Sequence, residues 1–239
     1  MKIGILKADS VLPQFQPEFG DYPLMFTDLL SQASPGLSFH TYDVEHFEYP
    51  DTIDDCDGYV ITGSKKSVYD DEPWIHRLAA YVRELHAARK KTVGICFGHQ
   101  MVAHALDGVA GPADAGWGVG VHQSQIVGEE PWMDPPMRQF SLVVSHKDQV
   151  TRLPSGATLL AGSEFCPHAA FRLGNHILTF QGHPEFCKPY SKALMDYREE
   201  ILGPEKYERG VASLASGIDR DIIARWIINF IAYDTEEQS

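Results

Sequence analysis

The chain has 239 residues, 44% hydrophobic and 22% charged, the proportions of an ordinary globular protein long enough to bury a substantial core. With 20 Lys and Arg against 33 Asp and Glu the formal net charge is −13, and no basic cluster exceeds Arg89-Lys90-Lys91; this argues against a nucleic-acid partner, whose affinity comes largely from phosphate neutralisation. No segment approaches the ~20 apolar residues of a membrane span, the N-terminal run is too short for a signal peptide, and the four cysteines lack C-x-x-C spacing, so a cytoplasmic protein with reduced thiols and no membrane partner is expected.

In chain order, residues 2–8 alternate as a first strand, and 9–20 read as a proline-bearing loop. A helix over 23–32 is stopped by Ser34-Pro35-Gly36, and 37–44 has the β-branched and aromatic content of a second strand. Residues 58–64 form a third strand that runs into a glycine turn. The stretch 73–89 opens on a proline and repeats apolar residues on one helical face. It leads into Thr92-Val93-Gly94-Ile95, a fourth strand, and then into a helix through Met101 to Leu106. Strands alternating with helices over short links predict an α/β fold: a doubly wound, mostly parallel sheet with helices on both faces, whose ligands gather at the carboxyl ends of the strands. Beyond Gly108, short strands at 118–127, 140–145, 157–161, 169–173 and 176–181 leave little room for helices, so antiparallel strands added at a sheet edge are expected. Two helices, 188–202 and 219–233, are predicted to finish the chain, and without repeats or long linkers the whole of 1–239 reads as one domain.

Gly94-Ile95-Cys96-Phe97-Gly98 joins the fourth strand to its helix in the form of a nucleophile elbow, with sulfur in place of oxygen. Flanking glycines admit close backbone, and the helix N-terminus favours a thiolate. A buried structural cysteine would satisfy the same spacing. The chain offers 11 histidines, of which His183 is informative: Ile177 to Gln181 is a strand and Gly182-His183-Pro184-Glu185 the turn that ends it. Cys96 and His183 would then project from one sheet edge, with Glu185 able to orient the imidazole. His99 and His104, five apart on a helix, are not aligned as zinc ligands, and Asp54-Asp55-Cys56-Asp57 lacks the spacing of a calcium loop; no metal and no cofactor are expected.

Together, Gly94-Ile95-Cys96-Phe97-Gly98-His99-Gln100 and Gly182-His183-Pro184-Glu185 resemble the class I, triad-type glutamine amidotransferases, especially the amidotransferase half of GMP synthetase and its free-standing relatives. Thr62-Gly63-Ser64 with Ser67-Val68-Tyr69-Asp70, and Ser145-His146-Lys147-Asp148-Gln149-Val150, agree in family order. The resemblance implies the family's flavodoxin-like fold and hydrolysis of the glutamine γ-amide. Cys96 would form a γ-glutamyl thioester, His183 would act as acid and then base, and Glu185 would orient it. It further implies an oxyanion hole from the Phe97 amide and one near Ser64 or Gly63, where relatives carry Gly-Gly-Pro or Asn-Gly-Pro and this chain has Gly63-Ser64-Lys65. Gln100 and the backbone of Ser145, His146 and Lys147 would hold the amino acid head. No synthetase domain is read in the sequence, so ammonia would pass to a separate synthetase or accepting subunit. The alternative within the same chemistry is a γ-glutamyl peptidase acting on glutathione-like compounds, and outside it an idle binding module.

Overall fold

The computed structural model describes residues 1–233. Nine strands form one sheet in the order β2-β1-β3-β4-β11-β10-β9-β6-β7. Its parallel half comprises β1 (Lys2–Lys7), β2 (Ser38–Asp43), β3 (Gly58–Ile61), β4 (Lys91–Ile95) and β11 (Ile177–Phe180). The period of two in these strands sends side chains to two separate cores. Ile3, Ile5, Val60, Val93 and Ile95 face α2 (Tyr22–Ala33) and α8 (Arg220–Ala232), whose Phe26, Leu29, Trp226 and Phe230 are fully buried or nearly so. Leu6, Tyr59 and Ile61 face α3 (Pro73–Ala87) and α4 (Phe97–Ala105) through Ile75, Leu78, Val82, Phe97 and Met101. The parallel sheet with helices on both faces is the architecture expected from the alternation of the first hundred residues.

The middle third supplies the antiparallel half: β6 (Gly118–Ile126), β7 (Gln139–His146), β9 (Ala157–Gly162) and β10 (Ala170–Leu173), with β10 and β11 joined by a hairpin at 173–177. A second, two-stranded sheet pairs β5 (Val109–Pro112) with β8 (Asp148–Arg152), and the sequence pattern did not announce it. Both strands are short, and β5 is largely exposed, so neither carries a continuous apolar signature.

Two expectations need correction. The loop 9–20 contains one helical turn, α1 (Gln16–Phe19), begun by Pro17 in its first positions. The C-terminal region holds four helices rather than two: α5 (Lys188–Tyr197), α6 (Glu199–Leu202), α7 (Pro204–Ser213) and α8. The predicted helix 188–202 breaks at Arg198, whose φ and ψ of −107° and 11° leave the helical region, and stops at Gly203 with φ of 74°. Pro204 then starts α7, whose narrow stripe of Tyr207, Gly210 and Val211, continued by Leu214, packs on Val119, Met195 and Leu202, although Gly210 alone in the helix is fully buried.

Candidate active site

β4 ends in Cys96, the single residue between strand and α4, with φ of 52° and ψ of −99°. A non-glycine side chain at positive φ is strained, and here the strain lifts the thiol off the strand end at the first turn of a helix. The glycines make the turn possible by contact: a Cβ at Gly94 would sit 2.5 Å from the Gly98 carbonyl oxygen, and one at Gly98 would sit 2.4 Å from that of Ile61. The elbow is thus pressed against β3 as well as β4.

β11 lies beside β4, and the Cys96 amide donates to the Phe180 carbonyl at 2.9 Å. Three residues past β11, the His183 amide donates to Val143 of β7 at 2.8 Å, which fixes the turn. The His183 ring is 3% exposed; its Nδ1 lies 2.7 Å from Glu185 Oε1, and Phe186 stacks on it with centroids 3.9 Å apart and planes 6° from parallel. A Cβ added at Gly63 would lie 3.0 Å from His183 Cε1, so the β3 turn closes the other side. Burial acts most strongly on His183 and favours the neutral ring, but the negative charge of Glu185, the charge of Cys96 and hydrogen bonds to both outweigh it and raise the pKa from 6.5 to about 10. Cys96, His183 and Glu185 are therefore brought together, with Nδ1 committed to the carboxylate and Nε2 free to face sulfur.

Cys96 opens onto two chambers. One is polar, about 60 Å³, and is lined by Gln100, Ser145, His146, Lys147 and Asp148 together with Ser67 and the Ser64-Lys65 turn. All four residues expected to hold the amino acid head line it. Gln100 Nε2 donates to the Asp148 carbonyl at 2.8 Å and to Gln181 Oε1 at 3.2 Å. His146 also gives its Nδ1 to the Asp148 carbonyl, at 2.9 Å, and burial holds its pKa down to about 3, so the ring is neutral and rigidly placed. The second chamber, about 180 Å³, has aromatic and aliphatic walls from Tyr22, Phe186, Tyr190, Leu194, Tyr197, Val11 and Leu12, with Asp9 and Arg198 at its rim. Ser64, Lys65, Ser145 and Arg198 border both chambers.

Of the oxyanion candidates, Ser64 faces both chambers while Gly63 packs on His183, and Phe97 is the first residue of α4. The turn after β3 is held by Asp9 at the end of β1: its carboxylate accepts from the Lys65 amide at 2.8 Å and pairs with Lys65 Nζ at 2.8 Å. β1 and β3 flank the point where the strand order reverses, the crevice in which open α/β sheets bind ligands. Asp9, Tyr22, Asp148, Tyr190 and Arg198 were missed in the sequence. Four of them carry no motif spacing, and only Asp148 lay inside a block already singled out.

Residues 24–195 match the family model described as glutamine amidotransferase class-I. The chain belongs to that family. Among its amidotransferase relatives, gamma-glutamyl peptidase 3 of Arabidopsis thaliana is 30% identical over 82% of this chain and 80% of its own. A glutamine amidotransferase-like protein of Schizosaccharomyces pombe is 30% identical over 96% and 98%. A GMP synthase of Porphyromonas gingivalis is 29% identical over 85% of this chain and 44% of its own. Solved structures of glutamine amidotransferases from Thermotoga maritima and Methylobacillus flagellatus share the fold, with TM-scores of 0.73 and 0.70, identities of 18% and 20%, and coverage of 96% and 97% of this chain and 96% and 92% of theirs. Its family makes it a cysteine-based amidohydrolase.

Outside the chambers, Asp43, Glu45 and His46 bring three ligand-type atoms within 4.8 Å. Asp43 is already paired there with Lys7 at 2.7 Å and with His46 at 2.9 Å, an ion-pair cluster on the half-exposed end of β2. Among the described residues no helix is long and apolar enough to cross a membrane.

Proposed function

We propose that the chain hydrolyses γ-glutamyl amide bonds through Cys96, and that its leaving groups are amines larger than ammonia. The observation that carries the reading is the pair of chambers meeting at one sulfur: a polar one suited to an amino acid head, and an aromatic-walled one of about 180 Å³ on the other side. Ammonia alone needs no such room. This favours the γ-glutamyl peptidase alternative over simple glutamine hydrolysis, and the γ-glutamyl peptidase names among its relatives point the same way. Glutathione-like compounds, whose γ-glutamyl amide nitrogen belongs to a second amino acid, have the required form.

In the first step Cys96 Sγ bonds to the γ-carbonyl carbon, and the oxyanion is met by the Phe97 amide at the positive end of α4 and by the Ser64 amide. His183, charged in the resting site, gives the proton on Nε2 to the departing nitrogen as the C–N bond breaks. Its neutral form then takes a proton from water, whose oxygen bonds to the thioester carbon as the C–S bond breaks, releasing glutamate and restoring the imidazolium–thiolate pair. Glu185 keeps Nδ1–H in place and supports the charge throughout, and the stacked Phe186 ring stops the imidazole from turning.

The test measures glutamate release from glutathione, a γ-glutamyl anilide and glutamine, with wild type and Cys96→Ala. Cys96-dependent release, with kcat/KM higher for the two larger amides, is expected. Equal rates in both proteins would remove the enzymatic reading. Preference for glutamine would restore the glutaminase and, with it, a separate ammonia-accepting subunit.

A further inference from the structure

Resting on the γ-glutamyl hydrolase reading, we propose that Arg198 receives a carboxylate on the leaving group, which sharpens the substrate class to γ-glutamyl dipeptides whose second residue is an apolar amino acid with a free α-carboxylate. Arg198 is half-buried at the break between α5 and α6 and borders both chambers. Its backbone is fixed from both sides: the amide donates to the Leu194 and Met195 carbonyls, each at 3.1 Å, and the carbonyl accepts from the Ile201 and Leu202 amides at 3.0 and 2.9 Å. The guanidinium lies over the Trp117 ring, 5.1 Å from its centroid, and gives an N–H to Ser145 Oγ at 2.7 Å. These contacts hold the group in place without neutralising it. Glu199 and Glu200 follow in sequence, yet Arg198 forms no ion pair among the described residues. A guanidinium carries five N–H donors in a planar fork that fits a carboxylate through two parallel bonds, and a neutral hydroxyl leaves most of that capacity open.

The other cations around the sulfur have their own places. Lys65 borders both chambers too, but it pairs with Asp9 at 2.8 Å, and Lys66 of the polar chamber pairs with Glu72. Lys147 lines the polar chamber and not the aromatic one. His183 is matched by Glu185. Among the described residues, Arg198 is therefore the one cation on the aromatic chamber without an acid partner. A γ-glutamyl dipeptide brings two carboxylates to the site. The first sits on the glutamyl α-carbon and enters the polar chamber, where Lys147 stands. The second sits on the α-carbon bonded to the scissile nitrogen, and it enters a space walled by Tyr22, Phe186, Tyr190, Leu194 and Tyr197, in which an unpaired charge is strongly disfavoured. Arg198, at the border beside the sulfur, is the group that can match it, while the rings take up the apolar side chain. The arrangement predicts a selectivity rule: a free acid on the leaving residue is preferred over its amide, and a leaving amine with a second positive charge is rejected.

The experiment measures glutamate release by the full chain from γ-glutamyl-phenylalanine, γ-glutamyl-phenylalaninamide and a γ-glutamyl anilide. A bidentate contact between charged groups predicts that kcat/KM for the acid exceeds that for its amide by roughly 10- to 100-fold. Arg198→Gln, which keeps a donor for Ser145 Oγ, should bring the two substrates to within about threefold of each other. No preference in wild type, or an undiminished one in Arg198→Gln, would overturn the assignment. An equal loss on acid and amide would overturn it as well, because Arg198 would then serve the glutamyl head or the fold. If Arg198→Gln alters the unfolding transition, a crystal structure of Cys96→Ala with γ-glutamyl-phenylalanine decides instead: the phenylalanine carboxylate should lie within about 3.2 Å of the guanidinium, and a carboxylate placed elsewhere refutes the contact. A chain that cleaves none of the three compounds loses the hydrolase reading and this inference with it. One that cleaves all three without preference loses only the role of Arg198.

Discussion

Glu185→Gln keeps the shape of the side chain and deletes the charge that most strongly raises His183. In the native site the imidazole titrates near 10 rather than 6.5, a net preference for the cation of about 5 kcal/mol achieved against the opposing effect of burial. Without the carboxylate charge, burial is opposed by Cys96 alone, and a fall of roughly two units, ~3 kcal/mol, is expected. Because the charged ring is the acid that expels the amine, and a ring titrating about two units lower is still largely charged at pH 7, the loss shows at alkaline pH, where kcat/KM at pH 9 should fall about tenfold below wild type. The assay is release of glutamate from a γ-glutamyl anilide from pH 5 to 10.5. Wild type should lose activity as the pH rises through about 10, and the variant should lose it roughly two units lower. A variant whose alkaline limb stays at the wild-type position, or whose rate at pH 9 lies within about threefold of wild type, would refute the coupling of Glu185 to His183.

The same group makes stability depend on pH: a pKa raised on folding contributes in full below 6.5 and is lost as pH rises through about 10, so urea unfolding should show wild type losing its advantage over Glu185→Gln across that window. Gly98→Ala would place a Cβ 2.4 Å from the Ile61 carbonyl oxygen and should cost about 1–3 kcal/mol in denaturant unfolding, with glutamate release falling as the elbow shifts; a neutral substitution would mean the elbow is loosely held. Tyr197→Ala removes an exposed ring from the wall of the larger chamber and should raise KM for the anilide by about fivefold while leaving that for glutamine within twofold; equal effects would place the leaving group elsewhere. Trp226→Ala, in the core between α8 and the sheet, should lower unfolding free energy by about 3–5 kcal/mol.

The parallel half of the fold was legible because β1, β3 and β4 are dense apolar strands and α3 has an apolar stripe with proline at its start. The elbow and the His183 turn were legible for another reason: each is a local pattern in which glycine, nucleophile or base, and strand end follow within a few residues. What the sequence hid is whatever the tertiary fold alone brings together. Asp9 enters because β1 ends beside β3, and Arg198 because the helix predicted over 188–202 breaks there. The larger chamber is walled by residues from the first loop, α2, the turn beyond β11 and α5, which no spacing relates. β5 buries too little to mark itself, β8 buries Asp148 and Gln149 beside Val150 and so shows no apolar run, α7 offers only a narrow stripe, and Gly203-Pro204 is the signal that could have divided the last helices.

Cys96 and His183 are far apart along the chain yet stand at the ends of neighbouring parallel strands, whose separation is the ~4.8 Å of a backbone hydrogen-bond ladder. The reach between sulfur and imidazole is thus set by the sheet lattice together with the Val143 carbonyl of β7, which holds the turn that carries His183. Everything from β5 through β10 is a long excursion between two anchored points, and it supplies much of the head chamber. With β7 kept to hold His183 and β10 kept to flank β11, the remaining connections of that segment can be lengthened, shortened or exchanged to recognise a different amide while the two reacting groups keep their distance, which makes them the natural place to graft new specificity onto this chain.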